Sequence, residues 1–149
     1  MDLPDPILVR ETLHSLFGEE RYRKFVACVN QHCASKQRLF YWQEQIWAKV
    51  EEELGIQVGD HQDIASFFRV CHVHGVELQR DRVRIIYGTF RPVPQGYLDF
   101  EAANFPMAND ETRGPCWVEP ETDREVLFCT ACREAKSEWR ERRQRFGAG

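Results

Sequence analysis

Two short ligand pairs constrain this chain more than anything else in it: Cys71-His72-Val73-His74-Gly75 and Cys129-Thr130-Ala131-Cys132-Arg133. Two soft side chains separated by two residues can face one ion from a single tight turn, with the turn's N–H groups directed at the sulfur. Glycine directly after the second position suits the positive φ that such a turn often requires. Cys71, His74 and Gly75 fit that template, with histidine where many such turns carry a second cysteine; His72 is out of phase with it. The other pair follows a strand-like run and opens a helix-like one. That places Cys132 in a first helical turn, where the helix dipole and the unpaired N–H groups favour a thiolate.

The rest of the composition narrows the setting. The six cysteines are Cys28, Cys33, Cys71, Cys116, Cys129 and Cys132. Small secreted disulfide scaffolds are denser in cysteine and carry a secretory signal. Here the opening MDLPDPILVR has acids where such a signal needs cations, and no apolar run is long enough to cross a bilayer. We therefore expect a cytoplasmic protein without a membrane partner, its cysteines serving a metal rather than disulfides. A thioredoxin-like redox use is not expected, because that C-x-x-C follows the first strand of an alternating βαβ pattern. At 149 residues the chain is sized for a single domain, 1–149. A net charge of −4 excludes a generic polyanion binder unless a local patch supplies the cations.

Hydrophobic periodicity divides the chain into a helical region over 5–69 and a hairpin-and-helix module over 70–146. Asp5 and Pro6 read as a cap and a first helical residue. Val9, Leu13, Leu16 and Phe17 share one helical face and Gly18 offers a stop; Tyr22, Phe25, Val26 and Val29 form a second stripe. The strongest helix spans Lys36–Leu54, with Leu39, Phe40, Ile46, Trp47, Val50 and Leu54 on its apolar face and Gly55 at its end. A short helix over Asp63–Phe68 leads into Cys71. Val76–Leu78 and Val83–Tyr87 read as a hairpin around a turn at Gln79–Asp81, and Cys116–Val118 with Glu125–Phe128 as another around Pro120–Asp123. Between them, Thr89–Gly114 is proline-rich and holds one short helix near Leu98–Asn104. Its Phe90, Tyr97, Phe100 and Phe105 argue that it packs down. A last helix covers Ala131–Phe146. The fold class is α+β: amino-terminal helices packed on a metal-centred β-hairpin module with a carboxyl-terminal helix.

A ligand turn, then strands, then a ligand pair entering a helix resembles the treble-clef zinc fingers, over Cys71 to about Trp139. The stretches Cys71–Gly75, Tyr87-Gly88 and Val126–Trp139 are also similar to small bacterial proteins with paired ligand turns, a similarity that supplies no activity. The resemblance implies one structural Zn2+ held by Cys71, His74, Cys129 and Cys132, with residues 75–128 as a long insertion. Four S/N ligands close the tetrahedron, whereas a hydrolytic zinc keeps a position for water. The expected function is structural zinc binding in a non-enzymatic interaction or scaffold protein with a protein partner. No residue is nominated as catalytic, and whether the chain is an enzyme stays open, with the non-enzyme reading preferred.

The alternative is a nucleic-acid-binding treble clef using Arg133, Lys136, Arg140, Arg142 and Arg143 of the last helix, where Trp139 and Phe146 interleave with the cations. Its bland counterpart is a solvated helix in which Glu138 and Arg142 pair across one turn. A nuclease of the His-Asn-His type needs a histidine or asparagine on that helix, and none of the five histidines lies beyond residue 74. Cys116, just before a strand-like run, reads as a half-buried thiol in preference to a substitute ligand. Cys28 and Cys33, with His32 between and His61 farther on, have poor spacing for a second site.

Overall fold

The computed structural model describes residues 2–31, 38–88 and 93–145. Their contacts divide them between His72 and Val73 into two compact units. No helix among the described residues is long and apolar enough to cross a membrane.

The first unit is helical: α1 (Pro6–Gln31), α2 (Tyr41–Leu54) and α3 (His61–Ser66). Asp5 caps α1 as expected, its carboxylate accepting from the Ile7 amide at 3.0 Å. Gly18 interrupts that helix with φ 85° and ψ 173°, an extended mirror conformation open to glycine and costly for any residue with a Cβ. Val9 and Leu13 are buried ahead of the break, Phe25, Val26 and Val29 behind it; Leu16 is exposed. The helix expected from Lys36 begins only at Tyr41. Lys36 and Gln37 lie outside the described residues, and at the start of α2 the Phe40 amide donates to Gln43 Oε1 at 3.1 Å. Gly55 ends α2 in the left-handed region. Asp60 caps α3, which starts two residues earlier than its apolar pattern suggested, and accepts from the amides of Gln62 and Asp63.

Aromatic side chains fill the middle of this unit. Phe25 meets Phe68 edge-on at 4.9 Å, and Trp47 stacks on Phe67 at 5.8 Å. The one fully buried polar side chain among the described residues, Gln43, is satisfied there: Nε2 donates to Phe25 O, and Oε1 accepts from the Cys28 thiol as well as from Phe40. Cys28 is thus part of the α1–α2 contact. His32 and Cys33 lie outside the described residues.

The second unit holds β1 (Gln79–Ile86), α4 (Tyr97–Asn104), β2 (Thr112–Arg113), β3 (Asp123–Phe128) and α5 (Thr130–Arg145). The strands form a mixed sheet in the order β2-β1-β3. β3 runs antiparallel to β1, from Gln79 opposite Phe128 to Arg84 opposite Asp123, and β2 runs parallel to it. With the helices, this makes the chain α+β.

Both sequence-expected hairpins are rearranged. Gln79–Asp81, read as a turn, is the start of β1. Its charged residues are satisfied across the sheet, Arg80 with Glu125 at 3.0 Å and Arg82 with Asp123, while Val83 and Ile85 point into the interior. Cys116–Val118 is not a strand; Trp117 and Val118 are exposed, and β3 takes β1 as its partner. The two strands thus make one hairpin, with residues 87–122 inserted at its tip. The short helix in that insertion is present at Tyr97–Asn104, and Phe105, Met107 and Ala108 after it are buried.

Candidate metal centre

Each ligand position is set by its local backbone. Ahead of Cys71, the Asn30 amide group donates to the carbonyls of Phe68 and Val70 at 2.9 and 3.2 Å, fixing the segment that delivers the cysteine. Residues 72–74 form a turn, and Gly75 leaves it at φ 69°, the left-handed conformation that glycine takes without a Cβ penalty. Cys129 sits between the end of β3 and the start of α5. Its amide donates to Met107 O at 2.8 Å, and its carbonyl accepts from the Arg133 amide at 3.1 Å. Cys132 lies in the first turn of α5, and its amide donates to Cys129 Sγ at 3.4 Å. A sulfur therefore occupies the place of an N-cap oxygen, in the field of the helix N-terminus, where negative charge on sulfur is favoured.

These two turns bring Cys71, His74, Cys129 and Cys132 together, one ligand atom of each lying within 4.8 Å of all the others. His74 Nδ1 is 3.3 Å from Cys132 Sγ and 3.8 Å from Cys129 Sγ. A tetrahedral zinc with sulfur at about 2.3 Å and nitrogen at about 2.0 Å has S···N edges of about 3.5 Å, which the two separations bracket. All three cysteines are buried and His74 is exposed. The donor set fits a soft divalent ion: three sulfurs and one imidazole nitrogen, with no carboxylate among them. The cluster can therefore hold a metal ion. His72 and Cys116 are not in it.

Arg133, directly after Cys132, ties this centre to its surroundings. Its guanidinium donates to Ala108 O at 2.8 Å, Asn109 O at 3.1 Å and Asp81 Oδ2 at 2.9 Å, and lies 3.6 Å over the Phe128 ring. Asn109, held in the left-handed region at φ 43°, donates from its side chain to Leu127 O. Residues 107–110 are thus bound from three sides to the β3–α5 corner that carries two of the ligands. Sequence reasoning missed this clamp, since nothing local marks an arginine that serves carbonyls more than twenty residues away.

The other cations of the basic helix are largely engaged within the unit. Lys136 meets Asp110 at 2.6 Å and Arg140 meets the other carboxylate oxygen at 3.1 Å. Burial pushes the Asp110 carboxyl up, but the hydrogen bond from Lys136 and the charges of Lys136 and Arg140 outweigh it and hold the group below its ordinary value. Arg142 lies 4.0 Å from Glu138, and Arg143 lies over the Trp139 ring at 5.1 Å. No protein family matches the chain, and no curated protein or solved structure does either.

Proposed function

We propose that Cys71, His74, Cys129 and Cys132 hold one structural zinc ion, and that the chain works as a non-enzymatic interaction or scaffold protein built on that centre. The convergence of four S/N donors within 4.8 Å carries the reading. With four protein ligands no position is left for a reacting water, so the ion's contribution is cross-linking segments distant in sequence. The order of elements supports a treble-clef arrangement: ligand turn, β1, β3 antiparallel to it, then a ligand pair at the start of α5, with the insertion leaving from the hairpin tip. For the interaction role, Trp117 and Val118 stand 63 % and 81 % exposed on that insertion, apolar surface that a partner would cover. The engagement of Arg133, Lys136 and Arg140 by acceptors of their own unit weighs against these three cations serving as an extended phosphate-binding face of α5.

Metal analysis of the purified protein tests this. About one zinc per chain is expected, lost in Cys71→Ser and Cys132→Ser, lowered in His74→Ala and unchanged in His72→Ala. Full zinc content in His74→Ala with loss in His72→Ala would reassign the ligand. For the role, Trp117→Ser should abolish capture of a protein partner without altering metal content. A salt-dependent shift of nucleic acid that vanishes when Arg140, Arg142 and Arg143 become Glu would instead favour α5 as a nucleic-acid face.

A further inference from the structure

Away from the four ligands, the second unit contains a cavity of about 300 Å³ between α4, the 105–113 segment and α5. That is the lower end of the range for small-ligand sites. One wall is aromatic: Tyr97 and Trp139 lie 5.2 Å apart, and Phe105 meets Trp139 at 5.9 Å. The Tyr97 phenol is pushed up to about 12, by burial first and then by its hydrogen bond to Glu101, so it remains a neutral donor. At the floor, Asp110 is compensated by Lys136 and Arg140, which removes its repulsion for an anion. Arg143 differs from those two cations. It is half-buried, lines the cavity, lies over Trp139, and has no carboxylate partner among the described residues.

An aromatic wall beside an uncompensated guanidinium selects a planar ring that carries an anionic group. The carboxylates of Glu101 and Glu111 on the lining add acceptors for amino or hydroxyl donors of the same ligand. A plain aromatic acid has no such donors, and an aromatic amine, though it could meet Glu101 and Glu111, would leave the Arg143 guanidinium without an anion. We propose that this cavity binds one nucleoside monophosphate unit, free or at the end of a strand, with the base against Trp139 and Tyr97 and the phosphate on Arg143. The site is separate from the metal cluster and uses none of its ligands.

Calorimetric titration of the full chain with each of the four ribonucleoside monophosphates tests this, with the matching nucleosides and inorganic phosphate as half-ligands. At least one monophosphate should bind one-to-one, the half-ligands at least tenfold more weakly. Arg143→Ala should raise its Kd tenfold or more while metal content and circular dichroism stay unchanged, so that failure here is distinguishable from failure of the metal reading. Arg142→Ala, one residue away on the exposed face, should leave Kd unaltered. Absence of binding by all four at millimolar concentration, or equal losses in the two arginine variants, would overturn the proposal. A pentanucleotide binding more tightly than the monophosphate through Arg143 would identify a strand end as the source; weaker binding would identify the free nucleotide.

Discussion

In the helical unit the interior is made of large apolar side chains, Phe25, Trp47, Phe67 and Phe68 among them, surrounded by Val9, Leu13, Val26 and Val50. Among the described residues of the second unit the buried apolar set is far smaller: Val83, Ile85, Phe105, Met107 and Ala108, together with Cys129 and Cys132. Two of those seven buried positions are sulfur ligands, and the α5 surface is covered with charge. Burial contributes roughly 25 cal/mol per Å² of apolar area, so the aromatic core gives the first unit far more of this stabilisation than the few buried side chains give the second. The difference teaches that one unit draws its stability from area removed from water, while in the other the proposed ion would add a cross-link where the core is small.

The largest effect expected from this contrast is that of chelation. Structural zinc contributes on the order of 10 kcal/mol to small domains of this kind. Removing it, or substituting Cys132→Ser, should abolish amide-exchange protection in β1, β3 and α5 while α1 and α2 keep theirs. Uniform loss across both units would break the comparison. Next in size, Phe68→Ala should destabilise the helical unit by about 3–5 kcal/mol through lost burial and the cavity left behind, without changing metal content. A denaturant titration checks this against the protected strands of the second unit.

Arg133→Ala should cost the second unit about 2–3 kcal/mol, since it leaves the Ala108 and Asn109 carbonyls without their charged donor. Faster exchange at the Cys129 amide, which donates to Met107, would place the loss at the 107–110 clamp. Smallest is the contribution of Asp110. Its carboxyl titrates below the ordinary value in the folded chain, so the pairing with Lys136 and Arg140 stabilises above the unfolded pKa near 3.8 and is lost as pH falls through the lower, folded value. Asp110→Asn should therefore lower stability at neutral pH by about 1 kcal/mol, with the gap from the parent closing under acid. A gap that stays constant down to the acid limit would contradict the assignment.

How legible these features were in the sequence follows the range of the physics behind them. Cys71-x-x-His74-Gly75 and Cys129-x-x-Cys132 were readable because a ligand turn is a local object: spacing, glycine and helix start are all encoded within five residues. The cap at Asp5, the break at Gly18 and the end at Gly55 were readable for the same reason. The start of β1 was not. Arg80, Asp81 and Arg82 look like a turn, and only Asp123 and Glu125 on a strand some forty residues away make them a half-exposed strand. Lys36–Phe40 carried helical periodicity, yet at Phe40 the amide is claimed by the Gln43 side chain instead of an earlier carbonyl. Arg133, Lys136 and Arg140 read as a free basic face because their acceptors, Ala108, Asn109 and Asp110, belong to a segment with no periodic signal.

X-ray absorption at the zinc edge of the purified chain addresses the account most directly. It predicts one equivalent of metal in a four-coordinate shell of three sulfurs at about 2.3 Å and one nitrogen at about 2.0 Å. The shell should fall to two sulfurs in Cys71→Ser if any metal remains. A chain that folds cooperatively with no stoichiometric metal, or a shell dominated by oxygen, would contradict it.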